Sequence, residues 1–245
     1  MRTALVVGGA NGIGLAIATE LAKEKECQKG YIIDRCMPQP EYCNDKFECH
    51  IFDLNSPDYS IFGQFKDVDV LMITAGFGKL ALFKDVDERY IVESMNVNAT
   101  AVMRIIHCFY DRISSKADFF CGVMVSIAGF MSSPFFAVYG ASKAALKIFI
   151  ESVNVELEKS STTNRILNVS PGSIKGTGFN NGKTDLELTE GLAKDIIRNL
   201  YCKNDLFIPQ YDEIFKNVLE RYAHDFRAEG RHSYEYKLSS GRIKE

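Results

Sequence analysis

The chain reads as an α/β protein of one domain, a doubly wound parallel sheet flanked by helices. Three observations predict this. Short apolar runs alternate with longer stretches of helical periodicity. Each run closes on a glycine, an acid or a hydroxyl, at the strand ends where ligands of such sheets bind. Its 245 residues, 46% hydrophobic and 25% charged, suit one large domain with a sizeable core.

Residues 4–7 are a first apolar strand that breaks at Gly8, Gly12 and Gly14. A helix follows, with Ile13, Ile17 and Leu21 at fourfold spacing. Tyr31 to Ile33 is a second strand ending at Asp34. Phe47 to Phe52 is a third ending at Asp53, and Val68 to Thr74 a fourth closing on Ala75 and Gly76. A long helix is expected from about Asp87 to Ile113, with Ile91, Met95, Val102, Ile105, Ile106 and Phe109 on its apolar side. Val123 to Val125 ends a fifth strand at Ser126, Ala141 to Leu157 is helical, and Arg165 to Val169 is a sixth strand running into Pro171 and Gly172. Leu206 to Pro209 reads as a seventh strand, with a helix from about Tyr211 to Tyr222. Right-handed crossovers would wind these strands into one sheet covered on both faces.

Composition excludes several function classes. A net charge of −3 with interspersed signs argues against general nucleic-acid binding, which needs excess Lys and Arg to neutralise phosphates. The apolar start is too short for a signal peptide, and no run approaches the ~20 residues of a membrane helix. Seven cysteines, odd in number and without a CxxC pair, read as reduced thiols of a cytoplasmic protein. Cys36, Cys43, Cys49 and His50 match no zinc spacing, so no metal is expected.

Gly8, Gly12 and Gly14, with Asn11 and Ile13 among them, lie between a strand and a helix. Glycines there let the backbone approach a pyrophosphate, and the helix N-terminus supplies N–H groups and a positive dipole end. Asp34 ends the next strand, where an acid accepts hydrogen bonds from the adenosine ribose and repels a 2′-phosphate. NAD is therefore expected ahead of NADP, against the pull of Arg35 toward a 2′-phosphate. Asp53, beside Leu54, is placed to bond the adenine edge, and Ala75 and Gly76 let the backbone pass close to the ribose.

Tyr139 and Lys143 are four residues apart, and so share a helix face. An ammonium beside a phenol favours phenolate, which would bring an acid/base of ordinary pKa about 10 toward neutral pH. Ser126 stands thirteen residues earlier at a strand end, placed to polarise a substrate carbonyl. Asn96, in the long helix, is read as a buried amide that fixes a water in a relay to Lys143; the plainer alternative is a polar helix residue bonding a local carbonyl.

These pieces, with Pro171 and Gly172, stand in the order and spacing of the short-chain dehydrogenase/reductase family, which the chain resembles over about residues 3–177. The resemblance implies a Rossmann-like catalytic domain over residues 1–223. Tyr139 would be the proton donor or acceptor, Ser126 would orient the substrate oxygen, and Asn96 would support a relay. Lys143 would bind the nicotinamide ribose and depress the Tyr139 pKa. Pro171, Gly172 and Ile174 would line the nicotinamide, with Thr177 a less secure contact because it falls one place late. Val7 and Ala99 replace a usual Thr and Gly, and Ile73 and Thr74 replace an Asn that braces the strand.

A substrate loop and helix are expected over residues 178–200, opening at the turn-rich Asn180 to Lys183. Leu192, Ile196, Ile197 and Leu200 either line the pocket or, the preferred reading, pack as in any amphipathic helix. Phe130, Met131, Phe135 and Phe136 suggest an apolar pocket wall. Residues 224–245 are read as a polar C-terminal tail: a disordered end, a clasp over a partner subunit, or a helix. The expected activity is hydride transfer between NAD(H) and a small carbonyl or alcohol substrate. The expected assembly is a monomer, or a homodimer through the long central helices. The alternative is a catalytically idle dinucleotide-binding sensor or scaffold, disfavoured because all four catalytic positions are filled.

Overall fold

The computed structural model describes residues 1–179, 182–240 and 243. Seven strands form one sheet in the order β3-β2-β1-β4-β5-β6-β7: β1 (Arg2–Val7), β2 (Cys27–Asp34), β3 (Phe47–Ile51), β4 (Val70–Ile73), β5 (Phe120–Met124), β6 (Ile166–Val169) and β7 (Leu206–Phe207). Every pairing is parallel, with Val7 between Ile33 and Ile73 in the central register. The predicted doubly wound sheet is the observed one.

Alternation along β1 divides the core. Leu5 and Val7 point to one face, packing with Phe62, Phe65, Ile105, Ile106, Leu146 and Ile150. Ala4 and Val6 point to the other, packing with Ile17, Leu21, Ile196 and Leu200. The first face is covered by α3 (Ala101–Cys108) and α5 (Ala137–Lys159), the second by α1 (Gly12–Lys23) and α6 (Leu186–Tyr201). Ile196, Ile197 and Leu200 of α6 thus belong to the core, as the packing reading expected. Asp185 caps α6, accepting from the backbone N–H of Glu187 and Leu188 at 3.0 and 3.3 Å.

The long helix predicted over 87–113 is built in pieces: α2 (Glu88–Met95), a π turn (Asn96–Thr100), α3, and a last turn α4 (Tyr110–Ile113). In the π turn the N–H of Ala101 donates to the carbonyl of Asn96. That extra residue per turn re-aims the side chains, as π turns inside helices at functional sites often do. Past β7, a π turn (Tyr211–Phe215) leads into α7 (Lys216–His224) and α8 (Phe226–Ser239). The stretch read as a polar tail therefore carries a capped helix, with Asp225 accepting from Arg227 and Ala228 at 2.9 and 3.0 Å. That helix docks on its own chain. The expected Asn180 and Asn181 turn lies outside the described residues. Among the described residues, no helix is long and apolar enough to cross a membrane.

Candidate active site

The site lies along the carboxyl ends of the central strands. At its nucleotide end, the chain leaves β1 through Gly8 at φ 87°, where a Cβ would sit 2.3 Å from the Ala75 nitrogen. Only glycine allows this turn to nest against the end of β4. A Cβ on Gly14 would fall 2.1 Å from the Gly8 carbonyl and 2.3 Å from the Thr74 hydroxyl. Thr74 itself donates to the carbonyls of Val7 and Gly8 at 3.1 and 3.0 Å, so the brace expected to differ is present in another form.

α1 opens just after this turn, and its N-cap, Asn11, makes no side-chain capping bond. The Asn11 amide instead reaches the Cys36 sulfur at 3.4 Å. Asp34 faces the glycine turn: its carboxylate accepts from the N–H of Ala10 at 3.0 Å and of Arg35 at 2.7 Å. The Arg35 side chain is exposed. Thr177 is 9% exposed and lies against Gly12, and the Thr184 hydroxyl accepts from the Gly12 N–H at 3.2 Å, so both threonines lie over the same turn. The cradle fits a dinucleotide: backbone close enough for a pyrophosphate, a helix start without a side-chain cap, and an acid at the adjacent strand end. Asp53 is exposed, its carboxylate occupied with the backbone and amide of Asn55 at 2.9 and 3.2 Å. Leu54 is half-buried, its carbonyl accepting from the Tyr59 hydroxyl at 2.7 Å.

At the chemical end the structure brings together Ser126, Tyr139 and Lys143, which are 8%, 9% and 2% exposed. Ser126 follows β5 and accepts from the Ala128 N–H at 3.2 Å. It bonds the Tyr139 phenol, which favours phenolate, yet burial prevails and pushes the phenol up to about 12. Burial pushes the Lys143 amine down to about 7. This amine lies 5.7 Å from the centre of the Tyr139 ring and donates to the Met124 carbonyl at 2.9 Å. Both shifts have one cause: burial withdraws water from the phenol and from the ammonium, and each group is driven toward its neutral form.

Asn96 is exposed, so the buried-relay reading fails at that position. The buried amide is Asn98, fully enclosed. Its oxygen accepts from the Phe77 N–H at 2.9 Å and its nitrogen donates to the Phe77 carbonyl at 2.8 Å, with Ser94 and Ser142 both at 3.2 Å. A Cβ on Gly76 would lie 3.2 Å from both the Asn98 oxygen and the Lys143 amine, so Gly76 lets the two converge. The signal was available: Asn98 is in step with Val102, Ile105, Ile106 and Phe109, whereas Asn96 is turned away from that stripe.

Aromatic rings close the mouth. Phe136 and Phe179 lie 5.4 and 5.3 Å from the Tyr139 ring. Of the expected wall, Phe136 is at the site, Phe135 turns away into a buried contact, and Phe130 lies under the Lys147 amine. Sequence reading missed Phe179, and also Phe215, whose ring lies 2.6 Å from where a Cβ of Gly172 would stand. Pro171 is buried, its carbonyl accepting from the Ile127 N–H at 3.0 Å, and Ile174 is half-buried beside Thr177.

A family profile described as short chain dehydrogenase matches residues 59–187. The 3-oxoacyl-[acyl-carrier-protein] reductase MabA of Mycobacterium avium is 30% identical over 199 residues, covering 80% of this chain and 72% of that protein. Sorbitol-6-phosphate 2-dehydrogenase of Klebsiella pneumoniae is 27% identical over 224 residues, 82% of this chain and 80% of the other. Among solved structures, an alcohol dehydrogenase from the archaeon Thermococcus sibiricus complexed with 5-hydroxy-NADP superposes with a TM-score of 0.70 at 20% identity, covering 85% of this chain and 95% of that one. A short-chain dehydrogenase from Burkholderia cenocepacia J2315 in complex with NADP gives 0.75 at 18% identity, covering 95% and 97%.

Proposed function

The chain belongs to the short-chain dehydrogenase/reductase family, a family of nicotinamide-dinucleotide oxidoreductases, and on that premise we propose that it reduces a small-molecule ketone or aldehyde with NADH, or runs the reverse oxidation. The observation that carries this is the convergence of Ser126, Tyr139 and Lys143 in one buried pocket at the mouth of the dinucleotide cradle.

When bound, the dinucleotide supplies or accepts the hydride. The chain's own residues manage the proton. In reduction the carbonyl carbon gains the hydride, the C=O π pair moves onto oxygen, and that oxygen takes the Tyr139 proton. Ser126 donates a hydrogen bond to the same oxygen and holds it near the phenol. Burial keeps Tyr139 protonated, which suits it to donate. Lys143, at the base of the pocket, is placed to meet the nicotinamide ribose and, in its ammonium form, to return a proton to the phenolate after transfer. Asn98 holds the turn at Phe77 in place beside Lys143.

Asp34 supports NAD over NADP, since a carboxylate at the end of β2, beside the glycine turn, would repel a 2′-phosphate. NADP is a second reading, favoured by exposed Arg35 beside it and by the NADP or NADPH bound in several solved relatives. We further infer that the enzyme works as a homodimer, supported by exposed Val92 on α2 and by Ile148 and Val155 on one face of α5.

The test is to follow NADH and NADPH oxidation against a panel of ketones, aldehydes and quinones, with Tyr139→Phe and Asp34→Ala beside the wild type. Turnover lost in Tyr139→Phe with nucleotide binding kept supports the reading, and a preference for NADH that erodes in Asp34→Ala assigns the discrimination to Asp34. Tight nucleotide binding with no turnover anywhere would favour the idle sensor.

A further inference from the structure

α8 reaches back over the loop that joins Ser126 to Tyr139. Phe135 in that loop is left-handed, at φ 67°, a conformation a bulky residue keeps only when its surroundings enforce it. The effect is to send two adjacent rings to opposite sides. Phe135 is 5% exposed and packs 4.5 Å from the Tyr234 ring of α8, and its carbonyl accepts from the Ala81 N–H at 3.0 Å. Phe136 faces the catalytic tyrosine at 5.4 Å and Phe179 at 6.0 Å.

Lys237 of α8 is tied to the same loop. Its amine donates to the Ser133 hydroxyl and the Pro134 carbonyl, both at 2.8 Å, and lies 5.5 Å from the centre of the Phe136 ring. Its burial pushes the amine down to about 8, an outlay for a lysine that the proton chemistry does not use. α8 is itself held by Arg221, which forks onto the buried Glu229 at 2.7 and 3.1 Å.

We infer that Lys237 is a positioning residue for substrate: by fixing Ser133 and Pro134 it holds the Phe136 ring against Tyr139, so that the site selects carbonyl compounds carrying a flat aryl group next to the carbonyl. This rests on the dehydrogenase reading above. An aryl group offers a face to Phe136 that a methyl group cannot, and discrimination of roughly tenfold is the scale such a contact supplies.

The experiment uses two diketones that share the reacting group, phenylpropanedione and diacetyl, with whichever reduced nucleotide supports turnover. The full chain is compared with Lys237→Met, Lys237→Arg, Tyr234→Leu and, as an outer-face control on α8, Tyr236→Ala. Wild type should favour the phenyl compound by about tenfold in kcat/KM. Lys237→Met and Tyr234→Leu should each lose most of that preference through KM for the phenyl compound. Lys237→Arg should restore it, and Tyr236→Ala should leave the ratio unchanged. A preference for diacetyl in the wild type, or a ratio untouched in both Lys237→Met and Tyr234→Leu, overturns the inference. Diacetyl turnover that vanishes in Tyr139→Phe establishes the underlying reading independently of that ratio. If neither diketone is reduced, the dehydrogenase reading is what fails on these probes, and hydrogen exchange of residues 130–136 decides the wall. Protection lost in Lys237→Met but kept in Lys237→Arg upholds it, and protection unchanged in both overturns it.

Discussion

Asn98 shows how two positions along a helix separate a buried clamp from a surface residue. Replacing Asn98 by Ala removes the partner of the half-buried N–H and carbonyl of Phe77, at up to about 1–3 kcal/mol for each group that water does not reach. Asn98→Ala should therefore lower the urea midpoint and cut kcat, while Asn96→Ala should stay within about 0.5 kcal/mol of wild type. Equal effects in the two variants would deny Asn98 its place in the site. Lys143 and Tyr139 carry opposite pH signatures. Lys143 titrates near 7 when folded and at its ordinary 10.5 when unfolded, so between those values the unfolded chain binds the extra proton and stability rises with pH. Tyr139, raised to about 12 from 10, lets stability fall again above about pH 10. Denaturant titrations of the nucleotide-free protein should climb from pH 7 toward pH 10, at up to about 1.4 kcal/mol per unit from this lysine, and Lys143→Met should flatten that climb. Tyr139, Lys143 and Ser126 were legible as a trio because they stand together, in order, with the glycine turn and the other strand-end residues. Their protonation was not, because it depends on how much water the fold removes, and sequence does not report burial depth.

Among the elements, the turn between β1 and α1 was legible from its glycines, and the structure supplies the reason Gly8 and Gly14 are needed. Gly14 has no room for a methyl group, with backbone at 2.1 Å and a hydroxyl at 2.3 Å. Gly14→Ala should push α1 off the end of β4, costing several-fold or more in nucleotide affinity by calorimetry and lowering Tm; an unchanged affinity would separate this turn from the cradle. Periodicity gave the long helix but not its π turn, since one extra residue in a turn leaves the composition of the apolar stripe intact and shifts only its phase. α8 was hidden for a different reason. Its buried contacts are made by a tyrosine, a lysine and a glutamate, so its sequence looks solvent-facing while its side chains are anchored through polar tips and apolar stems.

For the molecule as a whole, the strand count and the two covered faces followed from the alternation of runs and helices, whereas assembly lies beyond a single chain's pattern. Ile148 and Val155 are each 59% exposed and seven residues apart on α5, an apolar face at helical spacing. Ile148→Glu with Val155→Glu should shift the mass found by light scattering from a dimer to a monomer, and a wild type already monomeric would remove the dimer from the reading. The interior position of β1 also bears on how the chain reaches this fold. Its first partner, β2, follows directly, but its other edge stays open until β4 has formed, and parallel pairings of this kind bring together residues far apart in the chain. Loop-closure entropy must be met before those contacts reward it, which places folding among the slower topologies. During that interval Leu5 and Val7 present an unpaired apolar edge to any other chain nearby, so refolding yield should fall as protein concentration rises, and the sheet's buried centre becomes the chief hazard on the route to it.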